Sequence, residues 1–266
     1  MSFQPALPMS GLAGWSFLNQ TLDRQTEIFD KSPRIARDTK YFEATIGDVR
    51  SAEALVGDRR LLRVALGAFG LQEDLNNRAF IRQVLEEGVT DENALANRLS
   101  DNRYTRLAAA FGFGDGGSPE SARPGFGAEI TERFRRMAFE SAVGDEDQAL
   151  RLAMNAKREL ADVAGADQND AAKWYRVLGT PPLRQVFETA FGLPEGFAQL
   201  DLERQVAEFR DRATAIGIDS ISDLADEQTR EELVRRFLAQ DELAKINAPS
   251  SNAIALTLLQ SAPGPA

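Results

Sequence analysis

Residues 58–71 read DRRLLRVALGAFGL, and this short stretch decides the fold class. Asp58 is a side-chain acceptor set just ahead of Leu61, Leu62, Ala65, Leu66 and Phe69, apolar residues at helical spacing. It therefore reads as the N-cap of an amphipathic helix. Gly70 falls just past the end of that helix, where a left-handed backbone closes the last turn and glycine adopts it cheaply. The word Ala-Phe-Gly-apolar returns at Ala110–Phe113 and Ala190–Leu193, each time after an amphipathic run. One stop signal is thus used at uneven intervals, which favours a bundle of unequal helices over a regular solenoid.

The same helical spacing runs outward in both directions. Trp15, Leu18, Leu22 and Phe29 form one stripe upstream, and Ser32-Pro33 and Thr180-Pro181 read as N-caps followed by proline at the first helical position. Downstream, Leu233, Val234, Phe237 and Leu238 mark the buried face of a long helix. Glu129–Arg133, Glu132–Arg136, Glu231–Arg235 and Glu232–Arg236 have the i, i+4 order that supports solvated helix faces. Alternation of the strand kind is nearly absent. The expectation is an all-α bundle of roughly ten to twelve unequal amphipathic helices, with two helical subdomains as an open arrangement.

Gly112, Gly114, Gly116, Gly117, Gly125 and Gly127, with Pro119 and Pro124, interrupt the helical pattern. Read as a mobile connector, this loop at 112–127 separates an N-terminal helical half (11–111) from a C-terminal half (128–245). A flexible leader (1–10) precedes them and an apolar tail (246–266) follows. Gly112, Gly114 and Gly117 match the letters of a dinucleotide-binding loop, but they follow a helix where that chemistry needs a preceding strand.

Composition removes much familiar chemistry. The 266 residues contain no histidine and no cysteine, so imidazole bases, thiol nucleophiles and zinc sites built on either are excluded. Thirty-one basic against forty-one acidic side chains leave a net charge of −10, which opposes nucleic acid and anionic lipid as partners. The acidic run Asp145-Glu146-Asp147 lacks the pattern of a calcium loop and reads as favourable charge at a helix N-terminus. No apolar run is long enough to insert in a membrane, and the N-terminus has no Sec signal. No charged residue precedes Asp23, which suits a segment threaded through an export channel. No catalytic, metal-binding or cofactor-binding residue is expected, and no cofactor or small-molecule ligand.

Several words in order carry a family resemblance: Asp58-Arg59-Arg60-Leu61, Ala68-Phe69-Gly70-Leu71, Asp101-Asn102-Arg103-Tyr104, Ala110-Phe111-Gly112-Phe113, and Trp174 through Pro194. Over about residues 10–245 the chain resembles the alphaproteobacterial domain-of-unknown-function family 1217. The resemblance implies a helical fold and a genomic association with the flagellar system, and it brings no established functional residues. The resulting expectation is a non-enzymatic protein acting through contacts with flagellar proteins or with itself, in the cytoplasm or exported through the flagellar apparatus. The alternatives are a cytoplasmic chaperone for exported flagellar subunits, and a hydrolase using paired carboxylates. Candidate interaction residues are Trp15, Leu18 and Leu22, the trio Trp174, Tyr175 and Arg176, and Ile254, Leu256 and Leu259 in the tail.

Overall fold

Asp58 Oδ1 accepts the backbone N–H groups of Arg60 and Leu61 at 2.8 and 3.1 Å, so the expected cap is in place. In this computed structural model, which describes residues 3–247, the same logic runs along thirteen α-helices. They are α1 (Gly11–Asp30), α2 (Pro33–Thr45), α3 (Ala52–Gly57), α4 (Arg59–Ala68), α5 (Arg78–Glu87), α6 (Leu95–Arg98) and α7 (Asn102–Phe111). After the glycine-rich loop come α8 (Phe126–Glu146), α9 (Gln148–Ala164), α10 (Asp170–Leu178), α11 (Pro181–Ala190), α12 (Leu202–Thr214) and α13 (Glu227–Asn247). No strand occurs among the described residues. Asp101, Asp147, Asn169 and Asp201 cap α7, α9, α10 and α12 through their side chains, whereas Ser32 and Thr180 start α2 and α11 without a side-chain bond. Proline at the first position sets those two starts.

All three Ala-Phe-Gly words end helices at a left-handed glycine, with φ of +72° at Gly70, +61° at Gly112 and +63° at Gly192. The N–H of Leu71 reaches Leu66 O at 2.9 Å and that of Leu193 reaches Glu188 O at 2.9 Å, the six-to-one bond of a Schellman closure. Gly112 uses the simpler single bond to Ala108 O at 2.9 Å. A Cβ at Gly192 would meet nothing within 4 Å, so Gly192→Ala isolates backbone strain. Thermal melts of that variant are expected to show a loss of about 1–2 kcal/mol.

α9 is the centre of the packing, touching α1, α8, α10, α11 and α13. Its Ala153 and Ala156 are fully buried beside Leu150, Leu160 and Val163, so small side chains let neighbouring helices approach closely. α4 packs against α8, and Gly67 makes the crossing possible: a Cβ there would lie 2.6 Å from the Phe134 ring. Because α4 and α8 lie on opposite sides of the glycine-rich loop, the two halves share one hydrophobic core, and separate subdomains are not formed. A small satellite cluster of Val84, Ala96 and Ala108 fills the space among α5, α6 and α7.

Two segments expected to move are tied down. The Asp115 carboxylate accepts bonds from Val89 N at 3.0 Å, Thr90 N at 3.2 Å and Thr90 Oγ1 at 2.9 Å. Ser121 Oγ donates to Val49 O at 2.6 Å, and Phe113 lies 5.6 Å from the Phe111 ring centre. The bonds from Val89 and Thr90 hold the Asp115 carboxyl below its ordinary range. Asp115→Ala is therefore expected to speed hydrogen exchange at the Val89 and Thr90 amides by about tenfold or more. The leader is likewise no free tail over its described part. Gln25 bonds both ways with the Ala6 backbone, at 2.8 and 3.2 Å, and Phe3 packs edge-on against Phe29 at 5.5 Å. An amide side chain with a donor and an acceptor can satisfy an irregular backbone much as a strand would.

Candidate protein-interaction site

Trp15 and Leu18 are 3 % and 1 % exposed, so they belong to the core and are not surface anchors. Leu22 is partly buried against the same core. The indole of Trp15 nevertheless reaches the edge of the fold, where Nε1 donates to Glu231 Oε1 at 2.8 Å. It forms part of an open cleft of about 940 Å³ between α1 and α13. Asp23, Asp226, Glu227 and Glu232 line that cleft with Glu231, against only Lys157 and Arg235. Lys157 bonds Glu227 at 3.2 Å, and Arg235 bonds Glu231 at 3.4 Å as the helical spacing predicted.

Trp174 is fully buried, with its ring 5.8 Å from Phe187 and 6.3 Å from Phe209. It is a core residue, and of the trio Tyr175 alone is exposed, at 42 %. Arg176 is half-buried. Ile254, Leu256 and Leu259 lie outside the described residues, as does nearly all of the 246–266 tail.

The structure draws attention instead to residues the sequence reading passed over. Met9, Leu12, Leu243 and Ile246 are exposed large apolar side chains, Ile246 at 77 %. They occur at one end of the α1/α13 pair, because Glu242 packs directly on Gly11, with no room there for a Cβ. On α13 the signal was legible: Leu243 and Ile246 fall out of phase with the buried stripe of Leu233, Val234, Phe237 and Leu238. This group of exposed apolar side chains is a candidate contact surface.

Beneath the surface of the bundle lies a charge network. Arg106 Nη1 bonds both Glu159 oxygens, at 2.9 and 2.8 Å, and Arg158 joins Glu159 at 2.7 Å and Glu140 at 2.8 and 3.0 Å. Burial pushes the Glu159 carboxyl up, but the Arg106 and Arg158 guanidiniums outweigh it and hold it below its ordinary range. Of the four expected i, i+4 pairs, Glu132–Arg136 forms at 3.0 Å along with Glu231–Arg235. Glu129 instead meets Arg123 at 2.6 Å, Arg133 lies over the Phe69 ring at 4.4 Å, and Arg236 donates to Ala190 O at 2.9 Å. Arg133 and Arg236 are thus drawn to partners distant in sequence, whereas Glu129 keeps an exposed partner six residues back. Among the described residues no helix is long and apolar enough to cross a membrane, and no three carboxylates cluster as metal ligands.

A family model described as "Protein of unknown function (DUF1217)" matches residues 68–233. The chain belongs to the DUF1217 family. That span contains the three Ala-Phe-Gly words, the glycine-rich loop and the charge network, while α1 to α3 precede it. This DUF1217 chain is also similar to the crystal structure of protein AGR_C_984 from Agrobacterium tumefaciens, with a TM-score of 0.73 and 29 % identity. The likeness covers 93 % of this chain and 100 % of that one, so it extends well beyond the matched span. No curated protein matches.

Proposed function

We propose that this DUF1217 chain works by protein–protein contact in the flagellar system, as an assembly factor or structural component and not as an enzyme. The observation that carries the contact reading is the apolar end of the α1/α13 pair, where Met9, Leu12, Leu243 and Ile246 face solvent. The flagellar part rests on the resemblance to its family. The poverty of catalytic groups supports the same reading, since neither histidine nor cysteine is available. The buried carboxylates of Glu140 and Glu159 are engaged by guanidiniums, which leaves them poor candidates for the proton transfers a glycosidase requires. Deleting the gene in a motile alphaproteobacterium is expected to impair flagella or swimming, and a Leu243→Asp/Ile246→Asp double variant that melts like wild type should fail to restore them. Normal swimming after deletion would end the proposal.

A second reading is favoured by the acidic cleft beside Trp15: a cytoplasmic chaperone whose Asp23, Asp226 and Glu232 receive a basic segment of an exported subunit. It predicts a stable one-to-one complex that is recovered from cytoplasm and dissociates at high salt. A structural component carried out through the flagellar apparatus would be found in the secreted fraction instead.

A further inference from the structure

α7, α8, α9 and the start of α11 enclose a cavity of about 400 Å³, in the size range of small-molecule sites. Arg103, Arg106, Arg133 and Arg151 line it, and Arg158 stands in an adjoining recess that shares Arg133. Arg103 is matched by Asp101 at 2.7 Å, and Arg106 and Arg158 are matched by Glu159 and Glu140. Glu73 is exposed on the rim. Arg133 and Arg151 have no carboxylate partner among the described residues, although Glu73, Asp101, Glu140 and Glu159 balance the four arginines of the lining in number. Arg133 is the more confined of the two, over the Phe69 ring. Burial and its positive neighbours Arg106 and Arg158 hold it below the ordinary arginine range. Two further polar atoms on the same walls, Arg106 Nε and Asn155 Oδ1, are out of solvent and have no hydrogen-bond partner. A fixed guanidinium fork without a carboxylate is the usual receiver of an oxyanion, and an amide can turn either end toward a bound group.

We propose that this cavity binds a small oxyanion, a phosphate or a carboxylate group, held by Arg133 and Arg106 Nε with the Asn155 amide as a further contact. The ligand is a small molecule distinct from the protein partners discussed above, and its site is independent of the α1/α13 end. Isothermal titration of the full chain with inorganic phosphate and, separately, with succinate, at constant ionic strength set by sodium chloride, tests it. One of the two is expected to bind saturably at one site per chain, and which one does so separates a phosphate site from a carboxylate site. Arg133→Gln should weaken that binding at least tenfold and Arg133→Lys less, whereas Arg212→Gln, on the distant α12 surface, should leave it unchanged. Equal binding by wild type and Arg133→Gln, or no saturable binding of either anion, overturns the proposal. Should Arg133→Gln not fold, thermal melts of wild type decide alone: no gain over chloride in either anion sinks the site.

Discussion

Phe209→Ala is expected to destabilise the protein by about 3–5 kcal/mol, the upper range for truncating a buried aromatic. Phe209 is fully buried and stands where four other rings meet. It stacks on Phe197 at 5.2 Å and on Phe187 at 5.6 Å, and meets Phe191 and Trp174 edge-on at 5.9 and 6.3 Å. Rigid rings cannot slide into the space a lost phenyl leaves, so little of the cavity collapses. The loss also falls on a weakly held element, since Phe209 with Val206 and Ala213 forms the apolar face by which α12 docks. For a chain of this size each kcal/mol moves the melting temperature by about 2–4 °C, so a fall of about 6–20 °C should be seen. Tyr175→Ala, one helix away but exposed, should stay within about 0.5 kcal/mol of wild type. Comparable melts for the two variants would mean that α12 is not docked as described.

Glu159→Gln should cost a similar amount, about 3–5 kcal/mol at neutral pH, for a different reason. Glu159 is 5 % exposed and is the carboxylate shared by Arg106 and Arg158. Its neutral amide leaves Arg106, Arg133 and Arg158 with Glu140 as their nearest buried counter-charge. The pH dependence has a definite sign. The native carboxyl is held below the unfolded value of 4.5, so its contribution is complete above that pH and is withdrawn as pH falls through the lowered native value. Denaturant unfolding of both proteins across that range should show the deficit of Glu159→Gln shrinking as pH drops below 4.5. A gap that stays constant into acid would show that the network contributes through packing and not through charge.

How far the sequence could be read depended on the reach of each interaction. Asp58, Asp101 and Asp147 act on N–H groups two or three residues ahead, and the glycine stops act on carbonyls four or five residues back. Such contacts are visible in a single stretch of sequence; these formed, whereas Ser32 and Thr180 mark helix starts without a side-chain bond. A fourth closure of the same kind, Ile218 N to Ala213 O at 3.0 Å around left-handed Gly217, was legible too but lacks the phenylalanine that made the other three conspicuous. Arg106 and Glu159 are 53 positions apart, and nothing in either neighbourhood announces the other. The glycine-rich loop misled for the same reason: its composition favours mobility, and only the distant Val89, Thr90 and Val49 make it a fixed part of the fold.

Trp15 and Trp174 make the point at the candidate sites. Both stood as candidate anchors at helical positions that also suit a core, and the neighbouring helices bury both. By itself the sequence determined that the chain is helical, where most helices begin and end, and which catalytic groups it lacks, because caps, periodicity and composition are local or additive. The tertiary structure alone decided that one core spans the glycine-rich loop, that apolar residues are exposed at the α1/α13 end among the described residues, and that guanidiniums gather around Arg133. Each of these depends on which faces of distant helices meet, and that is settled by packing the whole chain at once.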